Sequence, residues 1–412
     1  MDKTICELFA GVGGFRLGFE RESMDWKTVW FNQWEPGKTK QWAHACYVGH
    51  WGDVDEKSGI DIALVNKKEI PDHNLLVGGF PCQDYSVARP LNGAKGLQGK
   101  KGVLWWQIRD TLEAKQAPFA LFENVDRLLK SPAKQSGRDF GVILACLANL
   151  GYSVEWRVVN AAEYGAAQRR RRAFIFCYKN STAYANNFSV CENEGKRKDN
   201  VVDIISHKGF FARAFPVESL LKEEITVGDI NYGDIPDVSE HFTFSFENAG
   251  FMSGGAVYTA RVTPIQEEPL TIRSVMEHHV DSVYFPDDQF LERIRYLKSA
   301  KKIVRTAKNG HVYTFSEGPV AFPDSINKPA RTMLTSETSV NRSTHIITDV
   351  DTGKLRVFTP VEAERIQGFD DNWTGNVGMP HKFRYFCMGN ALVVPMVTRM
   401  AGVLSDIFLQ EH

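Results

Sequence analysis

No two cysteines in this 412-residue chain have the spacing of a metal clip or a redox dithiol. The seven sit at 6, 46, 82, 146, 177, 191 and 387, which gives no support to a Cys-x-x-Cys zinc site or a disulfide-exchange centre. Their odd number, with no leader-like segment ahead of them, predicts reduced thiols and a cytoplasmic protein. Long apolar runs are missing as well. The N-terminus "MDKTICELFAG" carries an acid at its second position and passes straight into a strand pattern, so neither a targeting segment nor a membrane span is expected. An excess of one charge is also lacking. With 49 basic against 50 acidic side chains and a net charge of −1, any polyanionic partner has to be argued from local clustering.

What is present is strand–helix alternation. "TICELF", "TVWFNQW", "NLLVGGF" and "FALFENV" are short apolar runs that read as strands, with helical patterns over 103–115 and 139–150. "SVEWRVVNA" and "RAFIFCYK" add two more strands. Near-continuous apolar strands separated by helices predict a doubly wound α/β sheet of Rossmann-like type over residues 1–179. Residues 180–352 change character: they are rich in Asn, Ser, Gly and Asp, with short irregular β-like pieces. From 353 to 412 helical patterning returns, which predicts a C-terminal part completing the first domain around an insertion.

Four stretches carry chemistry. "LFAGVGGFRLGF" (8–19) is a glycine-rich turn between a strand and a helix, where backbone and helix N-terminus can receive an anion. The third glycine of a dinucleotide fingerprint would fall at position 16, and Arg16 occupies it. A cofactor without a pyrophosphate fits better, and S-adenosylmethionine is the natural candidate. "GGFPCQ" (78–83) places Cys82 behind a proline at a strand's carboxyl end, the edge where open α/β sheets bind ligands. Between Asp84 and Asp110 there is no acid, while Arg89, Lys95, Lys100, Lys101 and Arg109 lie among four glycines. That composition suits a basic loop closing over a polyanion. Glu123 ends the run "FALFENV" at the same sheet edge. "QRRRR" (168–172) leads into a strand, where alternation would turn Arg170 and Arg172 to one side.

These stretches, in this order, resemble the motifs of the DNA cytosine-5 methyltransferase family of bacterial restriction-modification type. "LFAGVGGF" is similar to its first cofactor motif, "GGFPCQ" to its proline–cysteine motif, and "ENV" and "QRRRR" to its glutamate and Gln-x-Arg-x-Arg motifs. "RVFTPVEAERIQGF" (356–369) resembles its Arg-x-x-Thr-x-x-Glu segment, and "GNALVVP" (389–395) its closing motif. The resemblance implies a sequence-specific enzyme that flips a cytosine from double-stranded DNA and methylates carbon 5 with S-adenosylmethionine. Cys82 would be the nucleophile and Glu123 would hold the ring nitrogen and amine. Arg172 would contact the base's O2, and Arg170 would order the nucleophile loop. For the cofactor it implies Phe9, Gly11, Gly13, Gln33, Trp34, Asp61 (with Asp53 as the alternative), Pro81, Leu104, Asn390 and Leu392. No metal is implied. Residues 180–352 would be the target-recognition domain, with the basic run 291–308 and the polar run 331–343, including Arg331 and Arg342, as contacts to DNA. A monomer with no obligate protein partner is expected.

One departure stands out. The family usually carries an acid just before the tryptophan, and this chain has Gln33 in "NQWEP". Two other readings share the fold: a transfer-RNA cytosine-5 methyltransferase, and a DNA-binding regulator without catalysis. The length of the variable region favours a duplex reader over the first, and the intact Cys82, Glu123, Arg170 and Arg172 argue against the second. A nicotinamide oxidoreductase is disfavoured by Arg16 and by the motif order.

Overall fold

A computed structural model of the chain describes residues 1–52, 55–80, 104–188, 194–306 and 310–411. The first half lays down β1 (Thr4–Leu8), α1 (Gly14–Glu22), β2 (Lys27–Asn32), α2 (Trp42–Trp51), β3 (Leu75–Gly79), α3 (Leu104–Lys115), β4 (Phe119–Val125), α4 (Arg138–Asn149), β5 (Tyr152–Asn160) and β6 (Arg171–Lys179). Later come β7 (Thr226–Asp229), β8 (Ala249–Ser253), β9 (Ala256–Ala260), α5 (Asp288–Lys298), β10 (Lys301–Thr306) and β11 (Val312–Glu317). The chain closes with α6 (Pro360–Gln367), α7 (His381–Asn390) and α8 (Val394–Gln410).

Strand alternation decides the layers. Ile5, Leu75, Val77, Phe119, Leu121, Phe174 and Phe176 face one core, completed by α1 and α8 through Phe15, Phe19, Val397 and Leu404. Cys6, Leu8, Leu76, Ala120, Phe122, Ile175 and Cys177 face the other, completed by α3 and α4 through Ile108, Leu112, Ile143 and Leu147. Two buried faces explain why these strands read as unbroken apolar runs. Each of the Val, Leu, Ile and Phe side chains among them contributes about 1.5–3 kcal/mol on removal from water.

Among the described residues the sheet has nine strands in the order β2-β1-β3-β4-β6-β5-β8-β9-β7. Strands β1 to β4 are parallel, as the sequence pattern predicts. Strand β6 then enters antiparallel between β4 and β5. Strands β8, β9 and β7 continue the sheet antiparallel beyond β5. Residues 180–352 therefore supply three strands of the central sheet as well as a separate ribbon, β10–β11, that pairs with no other strand among the described residues.

The "RVFTPVEAE" stretch has a local physical logic. Thr359 caps α6 by accepting the Glu362 N–H while Glu362 accepts the Thr359 N–H, with Pro360 in the first turn. Arg356 binds both oxygens of Glu362 at 2.7 and 2.8 Å and Asp349 at 2.8 Å, all buried. Removing one partner of such a pair costs about 3–5 kcal/mol. Among the described residues no single helix is long and apolar enough to cross a membrane.

Candidate active site

Two sites meet the carboxyl edge of the parallel strands. The first centres on Glu123. It pairs in register with Gly79 of β3 on one side and Phe174 of β6 on the other. Arg172 stands diagonally across, opposite Val125, within reach of a long side chain. Its Nε donates to Glu123 Oε1 at 2.6 Å, with both side chains largely buried. A β-carbon on Gly79 would lie 3.1 Å from Glu123 Oε2, so a bare backbone there gives the carboxylate room. Asn124, quoted in "ENV" but given no role by the sequence, anchors this edge: its Nδ2 donates to the Phe80 carbonyl at 2.9 Å. Phe80 leads directly into "PCQ". Pro81, Cys82 and the loop 83–102 lie outside the described residues, as does Asp53.

Arg170 and Arg172 part company. Arg172 turns to Glu123, whereas Arg170 is buried and donates to the carbonyls of Met333 at 3.2 Å and Gly389 at 3.0 Å. Burial, and secondarily the neighbouring Arg172 cation, push its pKa down to about 9, which leaves it charged at neutral pH. Gln168, also buried, accepts the Met333 N–H at 3.1 Å. Ala330 and Arg169 complete the joint, with bonds of 2.8 Å from Ala330 N–H to Ala167 and from Arg169 N–H to Ala330. The "QRRRR" segment thus ties the strand of Arg172 to residues 330–333 and to the start of "GNALVVP".

The second site is the turn after β1. Phe9 and Gly11 both have positive φ, 56° and 58°, and a β-carbon at Gly11 would meet nothing within 4 Å. Gly13, at φ 87°, is needed for another reason: Trp51 packs where its β-carbon would be, at 2.2 Å. Gln33, at the end of β2, accepts the Gly11 N–H through Oε1 at 2.7 Å. Its Nε2 remains a donor, and the one carboxamide oxygen keeps a second lone pair. Asn32 Nδ2 donates to Ile60 at 2.9 Å and draws the segment of Asp61 alongside. Asp61 itself accepts the Ala63 N–H at 3.0 Å. Trp34 is 36% exposed, Leu104 is half-buried and Asn390 exposed. Leu392 is buried, and a β-carbon on Gly14 would lie 3.0 Å from it. Phe9 and Leu104 pack against the same core.

Beneath this turn lies a residue the sequence reading passed over. Glu7 is fully buried; its Oε2 accepts from Tyr47 at 3.0 Å and its Oε1 has no hydrogen-bond partner among the described residues. Burial pushes its pKa up to about 8, against an ordinary 4.5, despite the opposing Tyr47 hydrogen bond and Arg16 charge. Because the folded value is the raised one, the site's contribution to stability is full below about 4.5 and is lost as pH rises through about 8. Glu7→Gln is therefore expected to raise the melting temperature more at pH 9 than at pH 5. Equal shifts in thermal melts at the two pH values would refute this.

Two expectations for the variable region are corrected by side-chain partners. Arg331 is held by Asp324, Nε to Oδ1 at 2.7 Å, and Arg342 pairs with Glu317, so neither is available to read a base. Lys298, counted in the basic run 291–308, is buried on the same Asp324 at 2.7 Å. That run is no single helix: α5 ends at Lys298 and β10 begins at Lys301.

The model of C-5 cytosine-specific DNA methylases matches residues 3–406. The type II methyltransferase M.Sau3AI of Staphylococcus aureus is 48% identical over 98% of this chain and 95% of its own length. M.HhaI of Haemophilus parahaemolyticus is 33% identical over 44% of this chain and 50% of its own. In fold, the chain resembles the Entamoeba histolytica methyltransferase EhMeth, with a TM-score of 0.59 and 16% identity over the whole of both chains. With a family match over nearly its full length, the chain belongs to the C-5 cytosine-specific DNA methylases and is a DNA (cytosine-5-)-methyltransferase.

Proposed function

We propose that the Glu123–Arg172 pair, set over Gly79 at the strand end that leads into "PCQ", is the cytosine-binding half of the active site, and that Cys82 is its nucleophile. Carbon 5 of cytosine is a weak nucleophile. Addition of the Cys82 thiolate to carbon 6 makes carbon 5 an enamine terminus. Glu123 supplies a proton to the ring nitrogen and holds the exocyclic amine, so that the charge has somewhere to go. Arg172 orients Glu123 and contacts O2. Once carbon 5 carries the methyl group, loss of its remaining proton to a base returns that electron pair to the carbon 5–carbon 6 double bond and expels the thiolate, while the ring nitrogen hands its proton back to Glu123, which regenerates the enzyme. A stacked cytosine cannot meet these groups, so the base is flipped from duplex DNA, with the loop 83–102 closing behind it. Arg170 acts one step removed, as the clamp described above.

The methyl donor is S-adenosylmethionine, which when bound supplies an electrophilic methyl group. The turn fits such a group: Phe9 and Gly11 are left-handed, a β-carbon on Gly11 would meet none of the described residues within 4 Å, and Trp34, which follows the Gln33 bonded to Gly11, is partly exposed, with Asn390 exposed as well. Phe9, Gly11, Gly13, Gln33, Trp34, Asp61, Pro81, Leu104, Asn390 and Leu392 form its binding set. The Gln33 carboxamide has a single oxygen, and the Gly11 N–H holds it at 2.7 Å. A glutamate would keep that bond and offer a second, charged acceptor to a ribose hydroxyl. Gln33→Glu is therefore expected to lower the Kd for S-adenosylmethionine about 3- to 10-fold by calorimetry. Unchanged or weaker binding would show that this oxygen does not face the cofactor.

We assign residues 180–352 to target recognition, minus the three strands that join the sheet, and read the protein as a cytoplasmic monomer that protects host DNA beside a restriction endonuclease. The test is bisulfite sequencing of plasmid DNA from cells expressing the chain, against the empty vector. Protected cytosines confined to one short sequence context are expected. No protected cytosine, with folded protein and cofactor present, would remove the duplex-DNA reading and turn the search to transfer RNA.

A further inference from the structure

The ribbon β10–β11 has an unusual surface. Its register sets Lys302 opposite Ser316, Val304 opposite Thr314 and Thr306 opposite Val312, so these six side chains share one face. All six are exposed, Val304 at 70% and Val312 at 59%. The other face is partly covered: Phe315 carries the Arg305 guanidinium at 4.0 Å, and Lys301 lies over Tyr296 of α5 at 4.7 Å. A two-stranded ribbon that pairs with no other strand among the described residues is marginal in water, and its two exposed valines add an apolar strip to an otherwise polar face.

Charge and dimensions indicate a partner. From Arg293 to Thr306 the described chain has five cations besides the buried Lys298 and no acid: Arg293, Arg295, Lys301, Lys302 and Arg305. In a protein of net charge −1 that is a local accumulation facing a polyanion. Two strands about 4.8 Å apart, with side chains, fill the ~12 Å major groove of duplex DNA and are too wide for its ~6 Å minor groove. The exposed face offers hydroxyls as donors and acceptors, an ammonium as donor, and methyls suited to thymine.

The ribbon is also registered to the chemistry. At its base Lys298 pairs with Asp324, which holds Arg331 in turn. Beside Arg331, Ala330 is hydrogen-bonded to Ala167 and Arg169, three residues before Arg172. A buried ion cluster of this kind fixes one element relative to another.

We infer that the face formed by Lys302, Val304, Thr306, Val312, Thr314 and Ser316 enters the major groove beside the target cytosine and reads base edges there, while the flanking cations grip phosphate. The inference rests on the proposal that the enzyme acts on duplex DNA. The test uses the full chain with Lys302→Ala and Thr314→Val, singly and together, exposed positions that leave the fold intact as checked by thermal melting and S-adenosylmethionine affinity. Wild-type methylation in one sequence context establishes the duplex reading independently. The double variant is then expected to bind cognate duplex at least 10-fold more weakly and to accept altered bases within the context, with cofactor affinity unchanged. Lys302→Ala alone should lower the slope of log K against log salt by about one if its ammonium sits on a phosphate, or relax one base position if it reads a base. Wild-type affinity and sequence preference in the double variant would overturn the inference and leave the enzyme's function standing. So would a concentration-dependent dimer that the variant abolishes, which would make the face a contact between copies.

Discussion

Cys82→Ala is expected to bring methyl transfer to the limit of detection, a loss of at least about 10⁴-fold, with cofactor and DNA affinities within a few-fold of the parent. Without the thiolate, cytosine carbon 5 never becomes nucleophilic, and no neighbouring group can substitute for a covalent bond to carbon 6. The five cysteines described in the structure are all buried, so none is placed to replace it. The same chemistry predicts a second readout. Duplex DNA carrying 5-fluorocytosine at the target has no carbon 5 proton to lose, so elimination stops and the enzyme remains attached. A denaturation-resistant protein–DNA band should form with the parent and not with Cys82→Ala. A persisting band in the variant would give the nucleophile's role to another residue.

Glu123→Gln comes next in size, at about 10²–10⁴-fold in kcat. Glutamine keeps the shape of the side chain and an acceptor for Arg172, whose Nε lies 2.6 Å from the carboxylate. It cannot donate the carboxyl proton that neutralises the ring as the thiolate adds. The loss should therefore fall on turnover more than on DNA affinity. Arg172→Lys in the same background should add less than its loss in the parent, since the part of its role that passes through the Glu123 contact is already impaired and only its contact to O2 remains to be lost. If single-turnover rates show the two losses multiplying, Glu123 and Arg172 act separately and the pair as a unit is wrong.

The parallel part of the sheet, and the place of Glu123 and Arg172 at its edge, were legible because the signals are local. An apolar run buried on both faces announces a strand, and Glu123 ends one. The insertion of β6 between β4 and β5 was not legible, because strand neighbours are chosen by long-range pairing that leaves no mark in either run. Nor were the fates of individual cations. Lys298, Arg331 and Arg342 read as surface charge until Asp324 and Glu317 are brought beside them. Gly13 looked like a place for ligand approach, and the side chain that demands it, Trp51, is a helix away. Gln33 was visible as a departure from pattern, but the direction of its carboxamide depends on the Gly11 N–H across the turn.

The clamp at Arg170 has a consequence for the order in which the protein is made. Its guanidinium needs carbonyls 163 and 219 residues further along the chain, and the core face of the first helix is covered by the last one. A ribosome adding roughly 5–20 residues per second exposes the motif strands well before their staples exist. A nascent chain stalled short of Gly389 leaves a buried-type cation without its second acceptor and an apolar sheet face bare. Competence to modify DNA therefore arrives late, once the segment from Gly389 through α8 has emerged, and a product terminated before it is a candidate for degradation rather than a partial enzyme.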